Sequence, residues 1–442
     1  MELSRNLSWP PSRSRVDGFI LLLIIIAVFS CLSATISSSN TSNTEHLPTV
    51  ALSPHSTISS PSSVTHSTNC NTPLSAMAME LPILKQKSME TSNEDPSLSS
   101  CDIFTGKWVV DHSDPIYQPG SCPFIDDAFN CLRNGRPDSD FMRWRWKPNG
   151  CSIPRLDGKQ MLEMVRGKRV VFVGDSLNRN MWESLVCTLR EALIDKSRVF
   201  EASGLHDFRA HGYYSFRFQD YNSSIEFVRA PFLVQEWKTP DSNGTRKETL
   251  RLDLIEEKSS SVYQNADIIV FNTGHWWTHA RTNKGEKYFQ EGNIVHDKLK
   301  APAAYERALH TWAHWVDSNI NSTRTRLFFT GYSISHYRGG RWNSGGNCDG
   351  ETQPIKNETY LASYPRMMSI LESVIREMKT PVWYLNITRM TDYRKDGHPS
   401  IYRRPEQTQT TAKMMYQDCS HWCLPGVPDD WNNLLYAAIL HS

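Results

Sequence analysis

A surplus of charge of either sign is the first thing this sequence lacks. Forty-eight Lys and Arg stand against 47 Asp and Glu, a formal net charge of +1. That excludes a strongly basic nucleic-acid binder and an acidic tail, and it turns attention to a neutral or weakly charged partner. Long apolar runs are almost as scarce. The one long apolar run is "GFILLLIIIAVFSCLSATI", residues 18–36, 19 residues without a charge, and no second membrane span follows it. No Gly-x-Ser-x-Gly occurs, so the α/β-hydrolase elbow does not apply. No nucleotide or acyl-CoA signature is evident either.

The one apolar run is just long enough to cross a hydrocarbon core as a helix. The alternative is a cleaved signal peptide, which would show a shorter run with an Ala-x-Ala-like exit. Arg5, Arg13 and Arg15 precede the run, and no Lys or Arg follows it until Lys85. The positive-inside rule then places residues 1–17 in the cytosol, 18–36 in the membrane as a signal anchor, and everything after in a lumen. A span this short suits the thinner membranes of the early secretory pathway. Six Asn-x-Ser/Thr sequons follow, at Asn40, Asn222, Asn243, Asn321, Asn357 and Asn386, as glycosylation acceptors would in a lumenal chain. Cysteine usage agrees. Cys31 lies in the apolar run and Cys70 in a polar tract. Cys101, Cys122, Cys131, Cys151, Cys187, Cys348, Cys419 and Cys423 form an even set. In an oxidising compartment they allow up to four disulfides, whose connectivity spacing does not determine.

Residues 37–100 are dominated by Ser, Thr, Pro and Asn and have little to bury, so they read as a disordered, O-glycosylated stem. Order is expected from Cys101. Residues 101–157 are dense in Cys, Trp, Pro and Gly and read as a disulfide-stapled cap. Residues 158–442 alternate strand and helix. "RVVFV" (169–173), "ADIIVF" (266–271), "RLFFT" (326–330) and "PVWYL" (381–385) are buried-strand candidates. Helices are expected from about Asn178, over 303–317, and over 367–378. This alternation predicts an α/β fold with a mainly parallel sheet flanked by helices. Ligands of such sheets bind beyond the C-terminal strand ends. The 14 Trp and 16 Tyr suit sugar rings and a core alike.

At those ends stand the candidate residues. The first strand runs into "VFVGDSLNRN", which sets Ser176 before a helix, either as an exposed nucleophile or as an ordinary N-cap. The second runs into "FNTGHWWTH", where Asn272 either donates to an oxyanion beside the Ser176 N–H or simply makes a turn. His275 and His279 are four apart, but the intervening Trp-Trp and the lack of an acid argue against a metal motif. The loop "SISHYRGGRWNSGGNCDG" offers His336, Arg338, Arg341, Trp342 and Asn343 as the lining of a sugar groove. Arg179 and the Trp144–Arg145–Trp146 cluster are either contacts for an acidic glycan or donor, or structural. Near the C-terminus, "YQDCSHWCLPGVPDDW" holds Asp418 and His421 three residues apart. A serine needs a base, and an imidazole needs a carboxylate to fix its tautomer. Asp418, Cys419, His421 and Cys423 also permit a metal knot, but a lumen favours disulfides over thiolates.

Gly-Asp-Ser early and Asp-x-x-His late resemble the GDSL/SGNH esterase superfamily. The match is closer to the plant trichome birefringence-like family of polysaccharide O-acetyltransferases, near the subgroup around trichome birefringence itself. It rests on "CDIFTGKWVVD", "CPFIDDAFNCLRNGRPD", "WRWKPNGC", "VFVGDSLNRNMWESLVC", "FNTGHWWTH", "WNSGGNCDGETQPI", "YLNITRMTDYRKDGHPS" and "DCSHWCLPGVPDDWNNLLY". The resemblance implies an SGNH-hydrolase-like fold in a Golgi type II membrane protein. It implies a double displacement with Ser176 as nucleophile, His421 as general base and acid, and Asp418 as its orienting partner. It also implies disulfides Cys101–Cys151, Cys122–Cys187, Cys131–Cys423 and Cys348–Cys419. The expected acceptor is a cell-wall polysaccharide, pectin or xylan. The expected donor is an acetyl compound of unassigned identity, supplied by a membrane protein, with no bound cofactor or metal and no nucleic acid. An acetylesterase and a non-catalytic pectin-binding bridge are the alternatives. The family's second-block oxyanion glycine has no identifiable counterpart in "DYNSSIEFVRAPFLVQE".

Overall fold

A computed structural model describes residues 101–205, 212–240, 246–404 and 417–441. The cytosolic tail, the apolar run, the stem, Cys31, Cys70, Asn40 and Asn243 lie outside the described residues. Among the described residues no helix is long and apolar enough to cross a membrane.

The centre of the molecule is β3 (Arg169–Gly174), whose β-branched residues are buried on both sides. Alternation sorts them between two cores. Val170 and Phe172 pack with one set of helices, and Val171 and Val173 with another. Parallel to β3 run β6 (Ser223–Arg229) on one side and β9 (Ile268–Phe271) on the other. Beyond β9 lie β12 (Arg326–Thr330) and β13 (Val382–Leu385), also parallel. Beyond β6, β5 (Tyr213–Phe218) runs antiparallel to it, and β4 (Val199–Glu201) antiparallel to β5. The sheet order is β13-β12-β9-β3-β6-β5-β4. The chain leaves β3 towards β6 and later returns to its other flank with β9, so β3 ends at the topological switch point, where such sheets bind ligands.

The four strands legible in the sequence are thus β3, β9, β12 and β13. β4, β5 and β6 were not foreseen, and the reversed β5 makes the sheet mixed. In β6 nearly every residue is buried, including Glu226, which pairs with Arg169 at 2.7 Å. It therefore shows neither period-two alternation nor an unbroken apolar run. A second sheet of order β11-β10-β8-β7 lies to the side. It is built from β7 (Gln235–Pro240), β8 (Arg246–Arg251), β10 (Phe289–Glu291) and β11 (Ile294–Val295).

On one face of the main sheet lie α1 (Gly158–Met164), α2 (Ser176–Glu191) and α7 (Val427–Leu440). On the other lie α3 (Glu257–Tyr263), α4 (Ala301–Asn319) and α5 (Arg366–Glu377), while the short α6 (Thr388–Asp392) follows β13. Helix α2 starts at Ser176, two residues earlier than its apolar spacing suggests, because Asp175 caps it by accepting from the Leu177 N–H at 2.9 Å. From Leu177 to Leu189 every residue is buried, Asn180, Glu183 and Thr188 included. Its outer face is roofed by the cap, where β1 (Gly106–Val110) pairs antiparallel with β2 (Trp144–Pro148). The cap is fastened by side chains as well as sulfur. Trp108 Nε1 donates to Met390 O at 2.7 Å, and the Trp146 N–H donates to Asp430 at 3.0 Å. Disulfides join Cys101–Cys151, Cys122–Cys187, Cys131–Cys423 and Cys348–Cys419.

Candidate active site

Ser176 is the first residue of α2, directly past the C-terminal end of β3. The close turn requires Gly174, where a Cβ would collide with the Asn272 side chain and carbonyl. Asp175 takes the capping role, so the Ser176 hydroxyl points elsewhere. Ser176 Oγ lies 2.7 Å from His421 Nε2, and His421 Nδ1 lies 2.8 Å from Asp418 Oδ2. Asp418 is buried, and burial alone would raise its pKa. The His421 ring and the bonds from the 421 side chain and backbone outweigh this and hold the carboxyl well below the usual carboxylate range. Being ionised, it only accepts, so Nδ1 carries the ring hydrogen and Nε2 is left to accept from Ser176. Ser176 and His421 are half-buried, open enough for a substrate to reach.

The loop that carries both partners is held from several directions. Asp418 Oδ1 accepts the backbone N–H groups of Ser420 and His421, each at 3.1 Å. Asp418 and Ser400 exchange backbone hydrogen bonds of 2.8 and 3.2 Å. From α2, one turn beyond Ser176, Asn180 clamps Trp422. Its Oδ1 accepts the Trp422 N–H at 2.8 Å and its Nδ2 donates to the Trp422 carbonyl at 3.1 Å. Cys419 ties the loop to the glycine-rich segment and Cys423 ties it to the cap. The cysteines around Asp418 and His421 are therefore spent as disulfides.

Asn272 ends β9 next to Asp175. Its Oδ1 accepts the Asp175 N–H and its Nδ2 donates to Asp175 Oδ1, both at 2.9 Å. One amide hydrogen remains for another acceptor. His275 stacks on Tyr332 with ring centres 4.1 Å apart, bonds the Ser333 carbonyl through Nε2 at 2.7 Å, and brings Nδ1 to 3.4 Å from Asp175 Oδ2. Burial would push the Asp175 carboxyl up, but His275 and Asn272 draw it below its ordinary value.

Arg179 does not face the nucleophile. Its Nη1 donates to Asp126 at 2.7 Å and to Glu183 at 2.8 Å, with the guanidinium over Phe129, so it locks the cap to α2. In the Trp144–Arg145–Trp146 cluster, Trp146 is buried in the core and Arg145 bonds the Ile153 carbonyl at 2.9 Å. His336 sits behind the loop against His398, 2.7 Å away. Trp342 belongs to an alternating stack. Arg229 lies over Trp276 at 4.8 Å, and Arg281 lies between Trp276 at 4.6 Å and Trp342 at 4.9 Å. Arg229 ends β6 in register with Gly174, so this stack begins one strand away from Ser176. Arg338 is engaged with Glu351 at 2.9 Å. Arg229, Asn180 and His398 escaped the sequence reading. Their partners are far along the chain, and only the strand order and the loop closure bring them to the site. Of the sequons, Asn222, Asn321 and Asn357 are exposed and Asn386 is half-buried.

Residues 153–438 match PC-Esterase, described as a GDSL/SGNH-like acyl-esterase family found in Pmr5 and Cas1p, and residues 99–152 match the PMR5 N-terminal domain. The chain is 60% identical over 387 residues to protein trichome birefringence-like 4 of Arabidopsis thaliana, covering 87% of this chain and 84% of that protein. It is 61% identical to protein trichome birefringence-like 1 and 60% identical to protein trichome birefringence, both of Arabidopsis thaliana. Each alignment covers 78% of this chain, but only 62% and 57% of those proteins. The chain belongs to the trichome birefringence-like family and carries its GDSL/SGNH-like acyl-esterase domain.

Proposed function

We propose that this protein moves acetyl groups onto hydroxyls of a plant cell-wall polysaccharide, pectin or xylan, through an acetyl-Ser176 intermediate. The observation that carries this is the unbroken hydrogen-bonded chain from Ser176 through His421 to Asp418 at the half-open switch point. In the first half-reaction His421 Nε2 takes the Ser176 proton as Oγ attacks the acetyl carbonyl of the donor. Collapse of the tetrahedral adduct breaks the bond between the acetyl carbon and the donor's leaving group, which departs with that proton. In the second half-reaction a sugar hydroxyl gives its proton to His421 and attacks the acetyl carbon. Ser176 Oγ departs and recovers its hydrogen. The Ser176 N–H at the start of α2 and the remaining Asn272 amide hydrogen are the donors assigned to the oxyanion. The Trp276–Arg281–Trp342 stack offers aromatic faces and positive charge to the acceptor chain. We further assign this work to the Golgi lumen, from a type II anchor, with acetyl supplied by a membrane partner. The charge asymmetry around residues 18–36 and the even cysteine set support a lumenal site.

The full-length chain, given an acetyl donor and defined oligosaccharides, tests this. Acetylated product that disappears in Ser176→Ala supports transfer. Acetate released from acetylated glycan without transfer replaces it with the esterase. Equal glycan binding by both forms, with turnover by neither, replaces it with the bridging protein.

A further inference from the structure

Two histidines outside the Ser176–His421–Asp418 chain stand against the back of the same loop. His336 Nδ1 and His398 Nε2 approach to 2.7 Å. The outer nitrogen of each ring meets a backbone carbonyl. His336 Nε2 lies 2.9 Å from Asp392 O, and His398 Nδ1 lies 2.7 Å from the carbonyl of His421 itself. A carbonyl oxygen only accepts, so both outer nitrogens carry hydrogen. The inner contact needs a hydrogen of its own, because two bare nitrogen lone pairs repel at that distance. The geometry asks for three ring protons, and two neutral imidazoles bring two.

We propose that His336 and His398 share a third proton, one imidazolium charge spread over two rings, and that the shared proton positions His421. The pair grips the catalytic loop twice, since the His336 backbone N–H also donates to Cys419 O at 3.0 Å. On the His336 side, the Asp392 carboxylate at 3.9 Å, Asp396 and Glu351 favour the charge, and Lys395 opposes it. On the His398 side, Asp418 favours it and a protonated His421 opposes it. The Arg136 guanidinium bonds the His398 carbonyl at 3.1 Å and adds further positive charge, although it is itself paired with Asp138 at 2.8 Å. Trp422 stacks on His398 with centres 4.1 Å apart and offers its π face to a cation. Burial is the largest influence on both rings and lowers their hold on the proton. The charge is therefore present in acid and leaves as pH rises. Once it has left, the pair can keep only two of its three bonds. A ring that turns away from His421 O loosens the peptide next to the imidazole that must meet Ser176.

This rests on the acetyl-transfer reading for its activity readout but not for its proton count. The full-length chain, carrying 15N-labelled histidine rings, is titrated from about pH 8 down to about pH 4, because burial sets the pair's titration below the ordinary histidine value of about 6.5. Signals are assigned with His336→Asn and His398→Asn. The pair is expected to give three ring N–H signals in acid, one of them strongly deshielded, and two after the proton leaves. Two signals at every pH overturn the proposal. His336→Asn also puts an amide N–H, which does not titrate, where Nδ1 was. On the alkaline side kcat of the natural chain should fall by about tenfold per pH unit above the pair's apparent pKa. The variant should lose that limb with KM little changed, whereas a merely structural role would leave the pH profile as it was. If the limb persists in the variant, the positioning role is refuted. Absence of turnover in the natural chain would refute the acetyl-transfer reading, and the spectrum would still decide the proton count.

Discussion

Replacing Asp418 by Asn isolates the electronic part of the site from its scaffolding. Asn keeps an oxygen for the two backbone N–H groups that Asp418 Oδ1 now accepts, so the loop stays pinned. What changes is the atom facing His421 Nδ1 at 2.8 Å. An amide NH2 there needs an acceptor, so the ring hydrogen moves to Nε2. There it points at Ser176 Oγ, 2.7 Å away, and the ring can no longer take the serine proton. The imidazolium formed during attack also loses its counter-charge. The expected loss in kcat is about 10⁴, or about 5 kcal/mol of barrier. KM should stay near its original value, and Tm should fall, because the variant loses the stability that ionised Asp418 contributes. Single-turnover acetyl transfer by the full-length chain measures it. A loss of less than tenfold, with the fold intact, would refute the assigned tautomer and with it the role of Asp418.

Three further outcomes follow from the same geometry. Asn272→Ala removes one assigned oxyanion donor and should cut kcat by about 10²–10³ with little change in substrate binding. It also strands the buried Asp175 N–H, and denaturant titration should show a cost of about 1–3 kcal/mol. Arg179→Met leaves Asp126 and Glu183 buried without their cation, so denaturant titration should show a loss of about 3–5 kcal/mol. Because Asp418 is held below its ordinary range, it contributes stability above the unfolded value of about 3.9 and loses it as pH falls towards its folded value. Acid unfolding followed by circular dichroism should therefore show a shallower pH dependence below about pH 4 in Asp418→Asn than in the natural chain.

What the sequence made legible followed from local signals. The buried β-branched runs marked β3, β9, β12 and β13, and their alternation with helices marked the parallel core. That Ser176, Asp418 and His421 would meet was legible from the resemblance, and from a serine just past a strand end with an Asp and a His three residues apart on one loop. What stayed hidden depended on closure. Arg179 reads equally as a glycan or donor contact and as a structural cation until the cap folds over α2 and supplies Asp126. His336 reads as a groove residue until His398, 62 positions later, arrives behind the loop. β6 carries a charged residue in a fully buried position, so no periodicity betrays it. Asn272 was placed correctly at a strand end, but its tie to Asp175 depends on the exact approach of two neighbouring strands.

The distance along the chain between nucleophile and base has a consequence in time. His421 lies 245 residues after Ser176, and Cys423 pairs with a cysteine 292 residues before it. At ribosomal speed the serine waits roughly 10–50 s for its base to be made. A nascent chain, or one cut before this loop, therefore carries Ser176 without its base. Competence arrives in one late step, when the last loop docks onto Asn180 and is oxidised onto the cap.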